Sequence, residues 1–160
     1  YDLTLNIKKG SFVFVIGGSG SGKSTFIKML YREEKPTSGE IIVGGINVAK
    51  LKNSKVYKLR RKLGIVFQDY RLLPKLTAIV NEPRILLCDE PTGNLDPDRS
   101  MEIVKVLEEI NKTCGTTIIM ATHDKEIVNK MQKEVVLLKD GRLIKHLEKG
   151  GYEEWNFLEC

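Results

Sequence analysis

The sequence predicts an α/β domain in which a mainly parallel sheet is flanked by helices and closed by one antiparallel hairpin. Three observations carry this reading. Short apolar runs rich in β-branched residues, at 12–16, 63–67, 85–88 and 116–121, alternate with stretches of helical apolar spacing. A Gly/Ser-rich turn at 17–22 leads from the first of these runs straight into a helical pattern. Near the end, the runs at 135–138 and 143–144 are separated by Asp140-Gly141, the turn chemistry of a hairpin.

Taken in order, Leu3, Leu5 and Ile7 alternate with polar residues and predict a half-buried opening strand, which Lys9-Gly10 turns into the run at 12–16. Phe26, Met29 and Leu30 share a helical face over 25–31, and 36–39, from proline to glycine, breaks that helix. The segment 40–43 with Gly44-Gly45 reads as a strand end. Asn53 or Ser54 caps a basic helix reaching Lys62. Buried strands follow at 63–67 and 85–88. Asp96 then stands as N-cap before Pro97 at N1 of a helix whose inward face is Ile103, Val104, Leu107 and Ile110, ending before Gly115. After the β-branched strand at 116–121, Asp124 caps a helix to about Gln132.

At 160 residues, with 41% hydrophobic and 29% charged side chains, the chain suits a single domain spanning 1–160 and excludes disorder and repeats. No apolar run approaches the ~20 residues of a spanning helix, and residues 1–10 lack a secretory pattern, so a soluble cytoplasmic protein is expected. The net charge of +5 is concentrated in Lys50, Lys52, Lys55, Lys58, Arg60, Arg61 and Lys62. This is read as a solvated basic face; no aromatic-interleaved motif accompanies it, and no nucleic acid is expected as a partner. Cys88, Cys114 and Cys160 are odd in number and lack CxxC spacing, which predicts free thiols in a reducing compartment.

The chemistry is concentrated in a few places. Residues 17–24 read GGSGSGKS, a complete GxxxxGK[ST] loop between an apolar strand and a helix. A buried strand turning sharply into a helix, with its N–H groups curled around a polyanion, needs glycine. Gly17, Gly18, Ser19, Gly20, Ser21, Gly22, Lys23, Ser24 and Thr25 are therefore assigned to a nucleoside triphosphate. Lys23 reaches the β- and γ-phosphates and the Ser24 hydroxyl is a Mg²⁺ ligand. The strand at 85–88 ends in Asp89, a second Mg²⁺ ligand, and Glu90, the general base for the attacking water. Gln68 and His123 each follow a predicted strand, where α/β sheets place their ligands. Gln68 is assigned to Mg²⁺ or the attacking water, and His123 to the γ-phosphate. Asn111-Lys112-Thr113-Cys114 begins like a guanine-reading NKxD but has cysteine in place of aspartate, which favours ATP over GTP.

With these motifs in this order the sequence resembles the ABC ATPase superfamily, a branch of the P-loop NTPases. GGSGSGKS matches its phosphate loop, VFQDY its Q-loop, ILLCDEPT its Walker B, GNLD its D-loop and ATHD its H-loop. FIKMLYREEKPTSGEI, LRRKLGIVFQDYRLLPKLT, PTGNLDPD and MATHDKEIVNKM are most similar to the FtsE family of cell-division ATP-binding proteins, with lipoprotein- and macrolide-export ATPases as close alternatives. The resemblance implies a Mg²⁺-dependent ATPase peripheral to the inner face of the plasma membrane, acting with an FtsX-like integral membrane protein in bacterial cell division. It also implies a head-to-tail homodimer formed on ATP binding, with Asn94, Leu95 and Asp96 crossing the interface and residues 68–73 sensing the membrane partner.

The chain departs from the family pattern in one large respect. The LSGGQ-like signature is absent, and only 20 residues separate Gln68 from Asp89, too few for the helical subdomain that carries it. A junction is expected between Thr77 and Ala78. Two readings stand open: a chain that truly lacks the subdomain, or a sequence that omits a segment the protein carries. The second is favoured, because a deletion would leave apolar contacts uncovered. The first makes the chain a nucleotide-binding module without efficient turnover. A chromosome-maintenance head, also split by an insertion, predicts coiled-coil heptads, and none flank the junction. Gly18 stands where relatives commonly carry proline, the adenine-stacking aromatic is missing unless Tyr1 is its remnant, and Trp155 and Phe157 read as packed end residues.

Overall fold

A computed structural model describes residues 3–67 and 82–151. The elements are β1 (Phe12–Ile16), α1 (Lys23–Leu30), β2 (Ile42–Val43), β3 (Ile46–Asn47), a 3₁₀ turn (Asn53–Lys55), α2 (Val56–Arg60), β4 (Leu63–Val66), β5 (Ile85–Asp89), α3 (Pro97–Cys114), β6 (Thr117–Ala121), α4 (Lys125–Met131), β7 (Glu134–Lys139) and β8 (Arg142–Leu147). Six strands form one sheet in the order β4-β5-β6-β1-β7-β8, and β2 pairs with β3 in a small antiparallel ribbon. All neighbours in the large sheet run parallel except β7 and β8, so the expected α/β class with a closing antiparallel element is what the chain adopts. Among the described residues no helix is long and apolar enough to cross a membrane.

β1 is buried along its whole length, as a central parallel strand covered on both faces should be. Its side chains divide by the period of two. Phe12, Phe14 and Ile16 enter one core with Val104 and Leu107 of α3 and Ile127 and Val128 of α4. Val13 and Val15 enter the other with Phe26 and Ile27 of α1, Val43 of β2 and Leu59 of α2. Helices on both faces fix the sheet, and the register then sets its edge. Val15 and Asp89 both stand level with Ala121, so the chain leaves β1, β5 and β6 along one carboxyl-terminal line.

Helix ends follow the capping expectations where acids provide them. Asp96 accepts from the Arg99 amide with Pro97 in the first turn, and Gly115 closes α3 in the left-handed region. Asp124 accepts from the amides of Glu126 and Ile127 to start α4. Asn111 donates its side-chain amide to the carbonyls of Gly10 and Thr116, at 2.8 and 2.7 Å. Its role is to tie the end of α3 to the entrances of β1 and β6.

Two expectations are corrected. Leu3, Leu5 and Ile7 keep alternate burial and pack on the second core, but residues 3–8 join no ladder among the described residues, so packing alone places them. The basic segment is a 3₁₀ turn followed by a short α2, without a side-chain cap. Asn53 instead turns its Oδ1 to the Arg32 guanidinium, which also donates to the Val48 and Leu51 carbonyls. Smaller shifts are at the ends: α1 begins at Lys23, and β4 stops at Val66. Cys88 is buried in β5 and Cys114 is exposed; Cys160, Trp155, Phe157 and the 77/78 junction lie outside the described residues.

Candidate nucleotide-binding site

The site grows from the exit of β1. Between Ile16 and Lys23 the chain must reverse from strand to helix, and Gly17, Gly20 and Gly22 take φ of 152°, 75° and 100°. Gly22 stands in the left-handed region at the N-cap of α1, and no side chain caps the helix. The first amides of α1 are therefore open to an external acceptor, the arrangement that binds phosphate. Gly17 is required on space as well: a Cβ there would lie 2.2 Å from the Leu138 carbonyl oxygen and 2.5 Å from Ser21 Oγ.

Lys23 is only 8% exposed, and its Nζ donates to the carbonyls of Gly17 at 2.8 Å and Gly18 at 3.1 Å. The ammonium thus sits over the loop it belongs to. One residue on, Ser24 Oγ donates to Asp89 Oδ1 at 3.0 Å, across from α1 to the end of β5. A hydroxyl and a carboxylate brought together from opposite sides are hard oxygen donors of the kind Mg²⁺ takes beside phosphates and water. The donor set fits such an ion.

Glu90 turns the chain. It adopts φ 51°, its amide donates to the Ala121 carbonyl at 3.0 Å, and its own carbonyl accepts from Gly93. That left-handed residue is why two consecutive acids serve one crevice, where a continuing strand would send them to opposite faces. Glu90 Oε1 lies 3.9 Å from Lys23 Nζ, and Oε2 lies 2.5 Å from His123 Nδ1. His123 is two-thirds exposed at the mouth of β6, while Glu90 is largely covered.

Lys23, Ser24, Asp89, Glu90 and His123 therefore meet at one edge. Ser19, Gly20 and Thr25 lie exposed on the same loop and first helical turn, and Gly18 is exposed beside them. Gln68 lies outside the described residues. A further residue, which none of the motifs contains as a site residue, supports this edge. Thr122 is fully buried, its amide donates to the Val15 carbonyl, and its Oγ1 accepts from the Asp124 amide. It anchors the turn that delivers His123, and the signal for it is a Thr-x-Asp turn immediately before a capping aspartate.

A glycine loop between parallel strand and helix, with a Ser–Asp pair and a Glu–His pair at the sheet's carboxyl edge, defines a P-loop nucleotide-binding domain. Residues 1–79 match the ABC transporter family. FtsE, the cell division ATP-binding protein of Bacillus subtilis (strain 168), is 39% identical over 209 aligned positions, covering 96% of this chain and 91% of the relative. FtsE of Mycobacterium tuberculosis (strain ATCC 25618 / H37Rv) is 39% identical over 206, covering 94% and 89%. The dimeric post-hydrolysis structure of the ATP-binding cassette MJ0796, bound to ADP and Pi, superposes with a TM-score of 0.81 at 26% identity, over 92% of this chain and 89% of that one. The chain belongs to the ABC transporter ATP-binding family, and it is an FtsE-like, ATP-binding ABC ATPase subunit.

Proposed function

We propose that the chain is the Mg²⁺-dependent, ATP-hydrolysing subunit of an FtsE-type complex in bacterial cell division, seated on the inner face of the plasma membrane through an FtsX-like integral membrane protein. The observation that carries it is the contact of Ser24 with Asp89 beside the phosphate loop, with Glu90 the next residue. Ser24 and Asp89 would hold Mg²⁺, with Gln68 as a further ligand by resemblance. When bound, the ion neutralises charge that develops on the phosphoryl oxygens.

The remaining roles belong to the chain. The loop amides from Gly17 to Thr25 cradle the phosphates, and Lys23 exchanges the Gly17 and Gly18 carbonyls for β- and γ-phosphate oxygens. Glu90, largely shielded from solvent and next to Lys23, takes the proton of the attacking water. His123 orients that carboxylate, and its exposed ring would donate to the γ-phosphate. A head-to-tail homodimer would bring a second copy against Asn94, Leu95 and Asp96. Similarity to dimeric MJ0796 supports that assembly.

The alternative reading is a nucleotide-binding module without efficient turnover. The absence of an LSGGQ-like signature from the sequence favours it. Phosphate release at saturating Mg-ATP, with Glu90→Gln as control, decides between them. Release well above the control supports the ATPase; release equal to it leaves the module. Co-purification with the membrane partner, retained by Glu90→Gln, tests the complex separately.

A further inference from the structure

The phosphate loop does not stand alone in the structure. Its far side rests on the turn between β7 and β8, where Asp140 and Gly141 adopt φ of 50° and 72°. Two successive positive φ values in a two-residue turn are the type I′ geometry that suits a right-twisted hairpin. Here the turn does something further. The Gly141 amide leaves the hairpin and donates to the Ser21 carbonyl at 2.9 Å.

That bond fixes more than one oxygen. The Ser21–Gly22 peptide is planar and trans, so its carbonyl and its N–H point in opposite directions. Holding the Ser21 carbonyl toward Gly141 aims the Gly22 N–H away from the hairpin. The Gly22 amide has no acceptor among the described residues, and it immediately precedes the open amides of α1. Close packing reinforces the bond. A Cβ on Gly22 would come within 3.3 Å of the Gly141 Cα, and one on Gly17 would collide with the carbonyl of Leu138 in β7. Ser21 itself is buried with its hydroxyl unpaired, and its own amide donates to the Gly18 carbonyl at 3.2 Å, so Gly141 is the partner that holds its carbonyl.

We infer that Gly141 is a positioning residue for nucleotide binding: through the Ser21 carbonyl it sets the direction of the Gly22 amide that meets the phosphates. The inference rests on the phosphate-site reading above, which the experiment separates from it. In the full chain, Gly141 is replaced by glycolic acid through suppression, so that an ester oxygen stands where the amide was and the turn keeps its freedom. The expected result is a dissociation constant for Mg-ATP and for ADP raised about fivefold, the worth of one hydrogen bond, with an unchanged circular dichroism spectrum. Affinity within about twofold of the parent overturns the role. Lys23→Ala in the same titration reports on the site itself. Weakened binding there, beside a parent-like ester variant, overturns only the Gly141 assignment; parent-like binding in both overturns the site as well. Should the ester variant fail to fold, amide hydrogen exchange on the unmodified chain decides. A slow Gly141 amide with and without ATP, and a Gly22 amide slowed by ATP, support the inference; a fast Gly141 amide overturns it.

Discussion

Ser24 and Asp89 stand 65 positions apart in the chain, on α1 and β5, and meet at 3.0 Å through hydroxyl and carboxylate. Neither element alone creates the pair; the parallel sheet that carries β1 and β5 to one edge does. Asp89→Asn keeps the shape but removes the charge an ion needs. Calorimetry with and without Mg²⁺ should show the parent losing about tenfold in ATP affinity when the metal is chelated, and Asp89→Asn losing little more.

Glu90 and His123 form a second pair, and they should fail together. Glu90→Gln is expected to lower turnover by about 10²–10⁴-fold while ATP still binds. His123→Ala should lower turnover less, and the double variant should be no slower than Glu90→Gln alone, because the histidine acts through the carboxylate it touches. Parent-like turnover in His123→Ala would remove it from the site.

Gly17 is held by space as well as by backbone conformation. Gly17→Ala forces a methyl group against the Leu138 carbonyl and Ser21 Oγ at a φ of 152°. A loss of about 2–4 kcal/mol of stability is expected, read by denaturant unfolding, together with lost nucleotide binding.

The thiols should separate by burial. Cys88 is enclosed within β5, and burial pushes its thiol up to about 12, whereas Cys114 is exposed at the end of α3. Alkylation of the folded chain at pH 8 should label Cys114 and spare Cys88 until denaturant is added, as peptide mass mapping will show.

A pH-dependent contribution is expected far from the site. Glu108 on α3 accepts from Lys133 at 2.6 Å and Lys112 at 3.0 Å, and the Lys133 hydrogen bond, then that of Lys112, holds its carboxyl below the ordinary 4.5. A lowered carboxyl stabilises the fold above the unfolded value, and that contribution is lost as pH falls through the folded value. Glu108→Gln should cost about 1 kcal/mol at pH 7 and nothing at pH 2, measured by urea unfolding at both.

Much of this was legible in the sequence because the signals were local. The loop at 17–24, the caps at Asp96 and Asp124 and the Asp140-Gly141 turn each depend on neighbouring residues, and each stands where expected. The failures were of reach. Leu3, Leu5 and Ile7 carry the alternation of a strand, but a strand also needs a partner, and alternation says nothing about one. Asn53 has a capping side chain, yet Arg32, distant in sequence, claims it. Thr122 depends on register between strands that the sequence does not pair, whereas Ser24 and Asp89 are assigned to one ion from their motifs alone and do meet.

That register has a consequence for which changes of length the chain can absorb. β4 and β5 are locked rung by rung, from Leu63 opposite Ile85 to Val66 opposite Cys88, and β5 is locked in turn to β6. One residue inserted within β5 would turn Asp89 away from Ser24 and exchange Leu87 with Leu86 and Cys88 between the two cores. An insertion between Val66 and Ile85 disturbs no rung. Chain length can therefore change between Val66 and Ile85 while the edge that brings Asp89 to Ser24 is kept.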